Sequence, residues 1–106
     1  MKGNKDLSFK DKVYQIVCKI PSGKVSTYKI IAKKAGKEKA FRAVGIILSK
    51  SPGMPIVPCH RVIRSNGLVG GYAFGLKKKI KLLQKEGIKI ESNKVLNFKE
   101  RVYRYF

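Results

Sequence analysis

The run Pro55-Ile56-Val57-Pro58-Cys59-His60-Arg61-Val62-Ile63 constrains this chain more than any other stretch. Its two prolines remove backbone donors and bar a regular helix, and the β-branched residues on both sides favour an extended course. Inside it a thiol is followed at once by an imidazole. A cysteine is a weak nucleophile at neutral pH because little of it is thiolate, and a nearby base or cation corrects that. His60 is the covalent neighbour of Cys59 and Arg61 comes next, yet adjacent residues on a strand point to opposite faces. Contact between Cys59 and His60 therefore needs a bend in the chain or a bridging water. Alone, the pair reads as a buried structural cysteine beside a hydrogen-bonded histidine. The rest of the chain argues otherwise.

Before this run the pattern is helical. Phe9, Val13, Ile16, Val17 and Ile20 recur at helical spacing, so Phe9 to Lys19 reads as an amphipathic helix with Ser8 as N-cap. Cys18 falls on it and reads as buried packing. Pro21-Ser22-Gly23 stops the helix. Ser26 or Thr27 caps a second helix to about Ala35, with Ile31, Ala32 and Ala35 inward and Gly36 as its stop. Ala40 to Leu48 makes a third, with Phe41, Val44 and Leu48 inward. Two short helices around a glycine outline a helix-turn-helix, and Lys33, Lys34, Lys37, Lys39 and Arg42 place on it the charges that backbone phosphates need.

After the run, Asn66-Gly67 signals a hairpin with Val62-Ile63 and Leu68-Val69 as arms. Gly70-Gly71-Tyr72-Ala73-Phe74-Gly75 lacks the lysine and spacing of a phosphate-binding loop, but its small residues let backbone amides approach a flat ligand. Leu76 to Glu86 is a fourth helix, with Leu76, Ile80 and Leu83 inward and Lys77, Lys78, Lys79, Lys81 and Lys85 outside. Glu86 sits at a helix C-terminus, where negative charge is unfavourable. That placement suggests a specific partner, either His60 or a nearby lysine. Ile88 and Ile90 suggest a small strand in a tail, 88–106, whose Phe98, Val102, Tyr103, Tyr105 and Phe106 pack on the domain.

Charge narrows the partners. Of 106 residues, 25 are Lys or Arg and 6 are Asp or Glu, a formal net charge of +19. Such a chain repels itself in a compact fold unless a polyanion compensates. No apolar run is long enough to span a bilayer, and no signal-peptide core follows Met1 to Asp6. The candidate partners are DNA, RNA and an anionic membrane surface. The expectation is a cytoplasmic, nucleoid-associated monomer with two free thiols. One histidine and no metal-ligand spacing leave no metal site and no cofactor.

Taken together, these residues resemble the active-site domain of the O6-alkylguanine-DNA alkyltransferase family. The resemblance runs from about Phe9 to Gly87. Its markers stand in the family's order: Gly23-Lys24-Val25-Ser26-Thr27-Tyr28, Arg42-Ala43-Val44-Gly45, Pro58-Cys59-His60-Arg61-Val62, Gly70-Gly71-Tyr72, Gly75-Leu76 and Glu86-Gly87. It implies a mainly α domain with a small β-hairpin, winged helix-turn-helix-like, acting on double-stranded DNA that contains O6-alkylguanine. The family flips the damaged base out of the stack. Arg42 matches the finger that fills the gap, and Tyr28 the tyrosine at the flipped nucleotide's phosphate and base. Cys59 takes the alkyl group in a single turnover, His60 is the base through a water, and Glu86 orients His60. Pro58, Val62, Tyr72 and Ala73 line the base pocket. Ser51, Lys37 and Lys39 join Tyr28 and Arg42 on DNA.

Three positions depart from the family's habit: Ser51 for asparagine, Ala73 for serine, and Ile46 for glycine. The expectation is one domain over 1–106 without the family's N-terminal domain, with a flexible lead, 1–8. The alternative is an alkyltransferase-like protein that binds the lesion and flags it for excision repair. Such proteins carry tryptophan at the nucleophile position, whereas this chain has Cys59 and no tryptophan.

Overall fold

The computed structural model describes residues 8–72 and 74–106. Most of the expected lead and Ala73 thus lie outside the described residues. Ser8 opens α1 (Phe9–Val17) as expected, its hydroxyl accepting from the Asp11 amide at 3.1 Å. Cys18 departs from expectation. The helix ends one residue earlier, so the thiol is exposed beside the Ile56 carbonyl instead of buried.

Thr27 ends β1 (Ser26–Thr27) and caps α2 (Tyr28–Lys34), accepting from the Ile30 amide at 3.1 Å. The stop at Gly36 is a paired closure: Gly36 donates to the Lys33 carbonyl and Lys37 to that of Ala32. This geometry puts residue 36 at φ +92°, where glycine alone is unstrained. The chain then enters α3 (Phe41–Ser49), completing the helix-turn-helix. Val13, Val17, Ile31, Val44 and Leu48 from these three helices, with Ile20 just after α1, form the first core.

Cys59–Arg61 is one turn of 3-10 helix leading into β2 (Val62–Ile63). The bend required at this point is therefore present. β2 pairs with β1 in parallel, Ser26 opposite Val62 and Thr27 opposite Ile63. The expected hairpin partner of β2, Leu68-Val69, is engaged elsewhere: Leu68 bridges Lys94, and Val69 donates to the Asn93 carbonyl. Asn66-Gly67 still turns the chain, its side-chain oxygen accepting from the Leu68 amide. The hairpin signal was sound for the turn and wrong for the arms, because a buried strand found a better-shielded partner in β1. Val62 and Ile63 are both fully buried, Val62 in the first core and Ile63 in the second.

The second core joins Val25, Ile63, Val69, Leu83, Ile88 and Val95. Over it lie α4 (Leu76–Lys85) and the hairpin of β3 (Ile90–Glu91) with β4 (Lys94–Val95), a wing beside the helix-turn-helix. Leu76 is 40% exposed, and Lys79 takes an inward place in its stead, one turn before Leu83. The short helix α5 (Phe98–Arg101) leads into an end segment held by its backbone: Val25 donates to the Arg101 carbonyl, and Tyr103 to that of Val25. Tyr103 and Phe106 meet edge to face and pack against the first core, whereas Tyr105, expected to pack as well, is exposed.

Candidate active site

Cys59 is 4% exposed and lines a cavity of about 230 Å³ with Tyr28, Gly45, Leu48, Ser49, Gly71 and Tyr72. That is below the ~300–1,000 Å³ of clefts for larger ligands, and its walls suit one flat aromatic group. Tyr28 comes from the first turn of α2, Gly45 from the middle of α3, and Cys59 from the bend. The β1–β2 pairing brings the first and last together. Tyr28 also lies against Gly70, where a Cβ would stand 3.9 Å from the tyrosine oxygen. Burial, then a charge on Cys59, raises the Tyr28 hydroxyl above its ordinary 10.0 despite Arg64, so it remains a donor at neutral pH. Burial and the interaction with Cys59 push Tyr72 up to about 12.

Behind Cys59, His60 is fully buried. Its Nε2 lies 3.1 Å from Glu86 Oε2. A carboxylate there favours hydrogen on Nε2 and leaves Nδ1 with a free lone pair. Nδ1 is buried and has no hydrogen-bond partner among the described residues. Burial holds the imidazole below its ordinary 6.5 against the pull of Glu86, so it is a neutral base at pH 7.

Arg61, which the sequence offered only as a neighbouring charge, completes this group. Its Nε donates to Glu86 Oε1 at 2.9 Å, its Nη2 to Oε2, and its Nη1 to the Ile20 carbonyl at 2.8 Å. Burial alone would raise the Glu86 carboxyl. The bonds from Arg61 and His60 more than reverse that and hold it below 4.5. The sequence signal for Arg61 was only its place beside His60, two residues from Cys59.

The second residue missed is Lys79. Its side chain is 0% exposed, and its Nζ donates to the carbonyls of Val62 at 2.8 Å and Gly71 at 2.9 Å. The one available signal was its register with Leu83, obscured by the lysines around it.

Outside the cavity, sharing Tyr28 and Gly45 with it, runs a groove of about 550 Å³ lined also by Lys29, Phe41, Arg42, Arg64, Ser65 and Asn66. Three cations and no acid face it. Arg42 is exposed on the first turn of α3 and packs over Phe41. Lys39 and Lys37 are exposed on the turn, Lys39 in an adjoining depression and Lys37 over the Phe9 ring. Ile46 stands 61% exposed on α3. Ser51 does not reach this surface. It is 4% exposed, and its hydroxyl accepts from the Gly53 amide, so it shapes the loop behind α3. Pro58 and Val62 are buried, and neither lines the cavity: Pro58 begins the bend, and Val62 bounds the site through its carbonyl. The pocket role expected of Ala73 falls outside the described residues.

The fold and groove define a helix-turn-helix DNA-binding domain with a thiol enclosed behind its basic face. The model of the family "6-O-methylguanine DNA methyltransferase, DNA binding domain" matches residues 8–88, and the chain belongs to that family. It is 52% identical over 86 residues to the methylated-DNA--protein-cysteine methyltransferase of Saccharolobus solfataricus, covering 81% of this chain and 55% of the relative. The protein of the same description from Metallosphaera sedula is 49% identical over 89 residues, covering 82% and 55%. The chain thus spans about half the length of the curated relatives it matches. Among solved structures, S. pombe Atl1 in complex with damaged DNA containing O6-carboxymethylguanine superposes with a TM-score of 0.79 at 36% identity, covering 90% of this chain and 94% of that one. Mycobacterium tuberculosis OGT in complex with DNA gives 0.72 at 38% identity, covering 76% and 49%.

Proposed function

We propose that this protein repairs DNA by moving an alkyl group from O6-alkylguanine to Cys59. The observation that carries this reading is the enclosed thiol beside a neutral, carboxylate-anchored histidine, opening onto a cationic groove on a helix-turn-helix. DNA lies along the groove, with Arg42 entering the stack as the lesion turns out and Lys39 and Lys37 on flanking phosphates. Tyr28 stands where cavity and groove meet, so it borders both the flipped base and its phosphate.

The reaction is a displacement at carbon. The Cys59 proton passes through a water to His60 Nδ1, and Glu86 stabilises the imidazolium that forms. The sulfur then bonds to the alkyl carbon as the bond from that carbon to O6 breaks. The electron pair leaves on guanine, which takes a proton from the direction of the Tyr28 hydroxyl. The product thioether is not hydrolysed, so each molecule acts once.

A second reading is favoured by the extent of the Atl1 match, which spans nearly all of both chains. On it the protein binds the lesion and transfers nothing. The two separate by intact mass after incubation with a duplex carrying O6-methylguanine. Transfer predicts a gain of one methyl group per chain, mapped to Cys59 and lost in Cys59→Ala while DNA binding persists. Tight lesion-selective binding with no gain in mass would sink the transfer reading.

A further inference from the structure

Ile46 has no part in the transfer scheme, yet it stands 61% exposed in the middle of α3. Residues three and four apart share a helix face. Ile46 therefore lies between Arg42 and Ser49 on the exposed stripe of that helix. Arg42 lines the cationic groove, and Ser49 lines the cavity that holds Cys59. Ile46 is thus placed on the path from one to the other. Its neighbours leave it prominent. Gly45 carries no side chain, and a Cβ there would first meet the Tyr28 ring at 4.0 Å. The Ser49 hydroxyl folds back and donates to the Ile46 carbonyl at 2.6 Å. The result is an apolar projection on a basic surface.

A single exposed apolar side chain needs no explanation by itself. This one shares its face with a groove whose charged lining is Lys29, Arg42 and Arg64. Those charges draw a polyanion against the face, and a duplex held there covers Ile46. Isoleucine offers no hydrogen bond to a phosphate or a base edge. What it offers is hydrocarbon, which proteins that open or kink a duplex press against a base step to unstack it. The spacing also fits. Four residues of helix span about 6 Å, less than two base-pair steps of about 3.4 Å. With Arg42 in the position the lesion leaves, Ile46 meets a base pair beside it.

We propose, on the reading that the duplex follows this groove, that Ile46 is an apolar wedge. It bears on the base pair beside the vacated position and holds that step open while Arg42 fills the gap. Ile46→Ala truncates the wedge, and Ile46→Gln keeps its length but makes its tip polar. Each should weaken binding to a duplex carrying O6-methylguanine by about tenfold, the ratio for withdrawing about two methylene groups of apolar contact. Tm should hold in both, since the position is exposed. The slope of log affinity against log salt should also hold, since isoleucine neutralises no phosphate. With the same lesion inside an unpaired bubble, no stacked step remains to be opened, and the difference from wild type should vanish. Wild-type affinity for the paired duplex in either variant, a changed salt slope, or the same loss on the bubble overturns the proposal. Wild-type affinity together with lost self-association of the free chain would assign Ile46 to a second copy instead. A wild-type chain that binds no duplex overturns the wedge and the groove reading together. The expected binding results without methyl transfer would remove only the transfer reading and leave the wedge standing.

Discussion

Glu86→Gln tests the anchoring of His60 most directly, because the geometry dictates how the amide must sit. Oε2 accepts from both His60 Nε2 and Arg61 Nη2, and Oε1 accepts only from Arg61 Nε. A glutamine has one acceptor oxygen and one donor nitrogen. With nitrogen at the Oε2 position, two acceptances are lost. With nitrogen at Oε1, one is lost and the oxygen keeps both others. The second orientation is preferred, so His60 retains hydrogen on Nε2 and its free Nδ1. The cost falls on Arg61, whose Nε faces another donor in a site where its side chain is 12% exposed.

An unsatisfied buried donor costs about 1–3 kcal/mol, and losing the carboxylate charge weakens the remaining bonds by about 1 kcal/mol. The sum is roughly 3 kcal/mol. For a domain of this size each kcal/mol moves Tm by about 4–8 °C, so the expected drop is about 12–24 °C, read by thermal melting. The histidine keeps its tautomer, read from ring nitrogen couplings, but loses its charged partner and becomes a weaker base. Transfer well below Tm should slow by about 10–100-fold, less than the ~10²–10⁴ of removing a general base outright, because His60 remains. A Tm within about 3 °C of wild type, or hydrogen moved to Nδ1, would refute the reasoning.

Acid should destabilise the fold in two stages. His60 titrates below 6.5 in the folded state, so below 6.5 the unfolded chain binds more protons and Tm declines as pH falls. His60→Gln should flatten that limb. Glu86 is held below 4.5, so its stabilisation is present above 4.5 and is lost only as pH falls through its lower folded value. Gly70→Ala should cost about 1–3 kcal/mol in a melt, since residue 70 has φ +75° and its Cβ would lie 3.2 Å from Arg64 Cγ. Gly71→Ala, with nothing within 4 Å of the added carbon, should change stability by less than about 0.5 kcal/mol. Equal losses would refute the distinction. Lys39→Ala should weaken duplex binding regardless of sequence and reduce the slope of log affinity against log salt by about 0.9, one phosphate contact. An unchanged slope would take Lys39 off the DNA.

Where one local rule decides an outcome, the sequence was readable. Ser8 and Thr27 are caps, Gly36 is a stop, and Val44 and Leu48 face inward, each for a reason contained within a few residues. Glu86 was marked by its awkward position at a helix end, and His60 is the partner it meets. Failures came where distant segments compete. The hairpin turn at Asn66-Gly67 formed, but β2 pairs with β1 some 36 residues earlier in the chain, from Ser26 to Val62. Leu76 looked inward by hydrophobicity, yet α4 turns Lys79 and Leu83 to the interior. A lysine can take that place because its stem packs as hydrocarbon while its amine finds carbonyls from two other segments. No pattern within the helix reveals those carbonyls.

The same pairing explains why the site is stiff enough for chemistry despite such short elements. β1 and β2 are two residues each, too short to be stable alone. They persist because β2 is shielded by both cores, with Val62 in the first and Ile63 in the second, and β1 pairs beside it. Tyr28 begins where β1 ends, and Cys59 lies in the bend where β2 begins. Lys79 ties Val62 to Gly71 from one side, and Arg61 ties the bend to Ile20 from the other. Tyr28, Cys59 and His60 are thus each within three residues of a backbone segment fixed by hydrogen bonds from another part of the chain. Lys79 and Arg61 thus tie the bend to α4, to Glu86 after it and to Ile20, so loosening either should loosen the bend that carries Cys59.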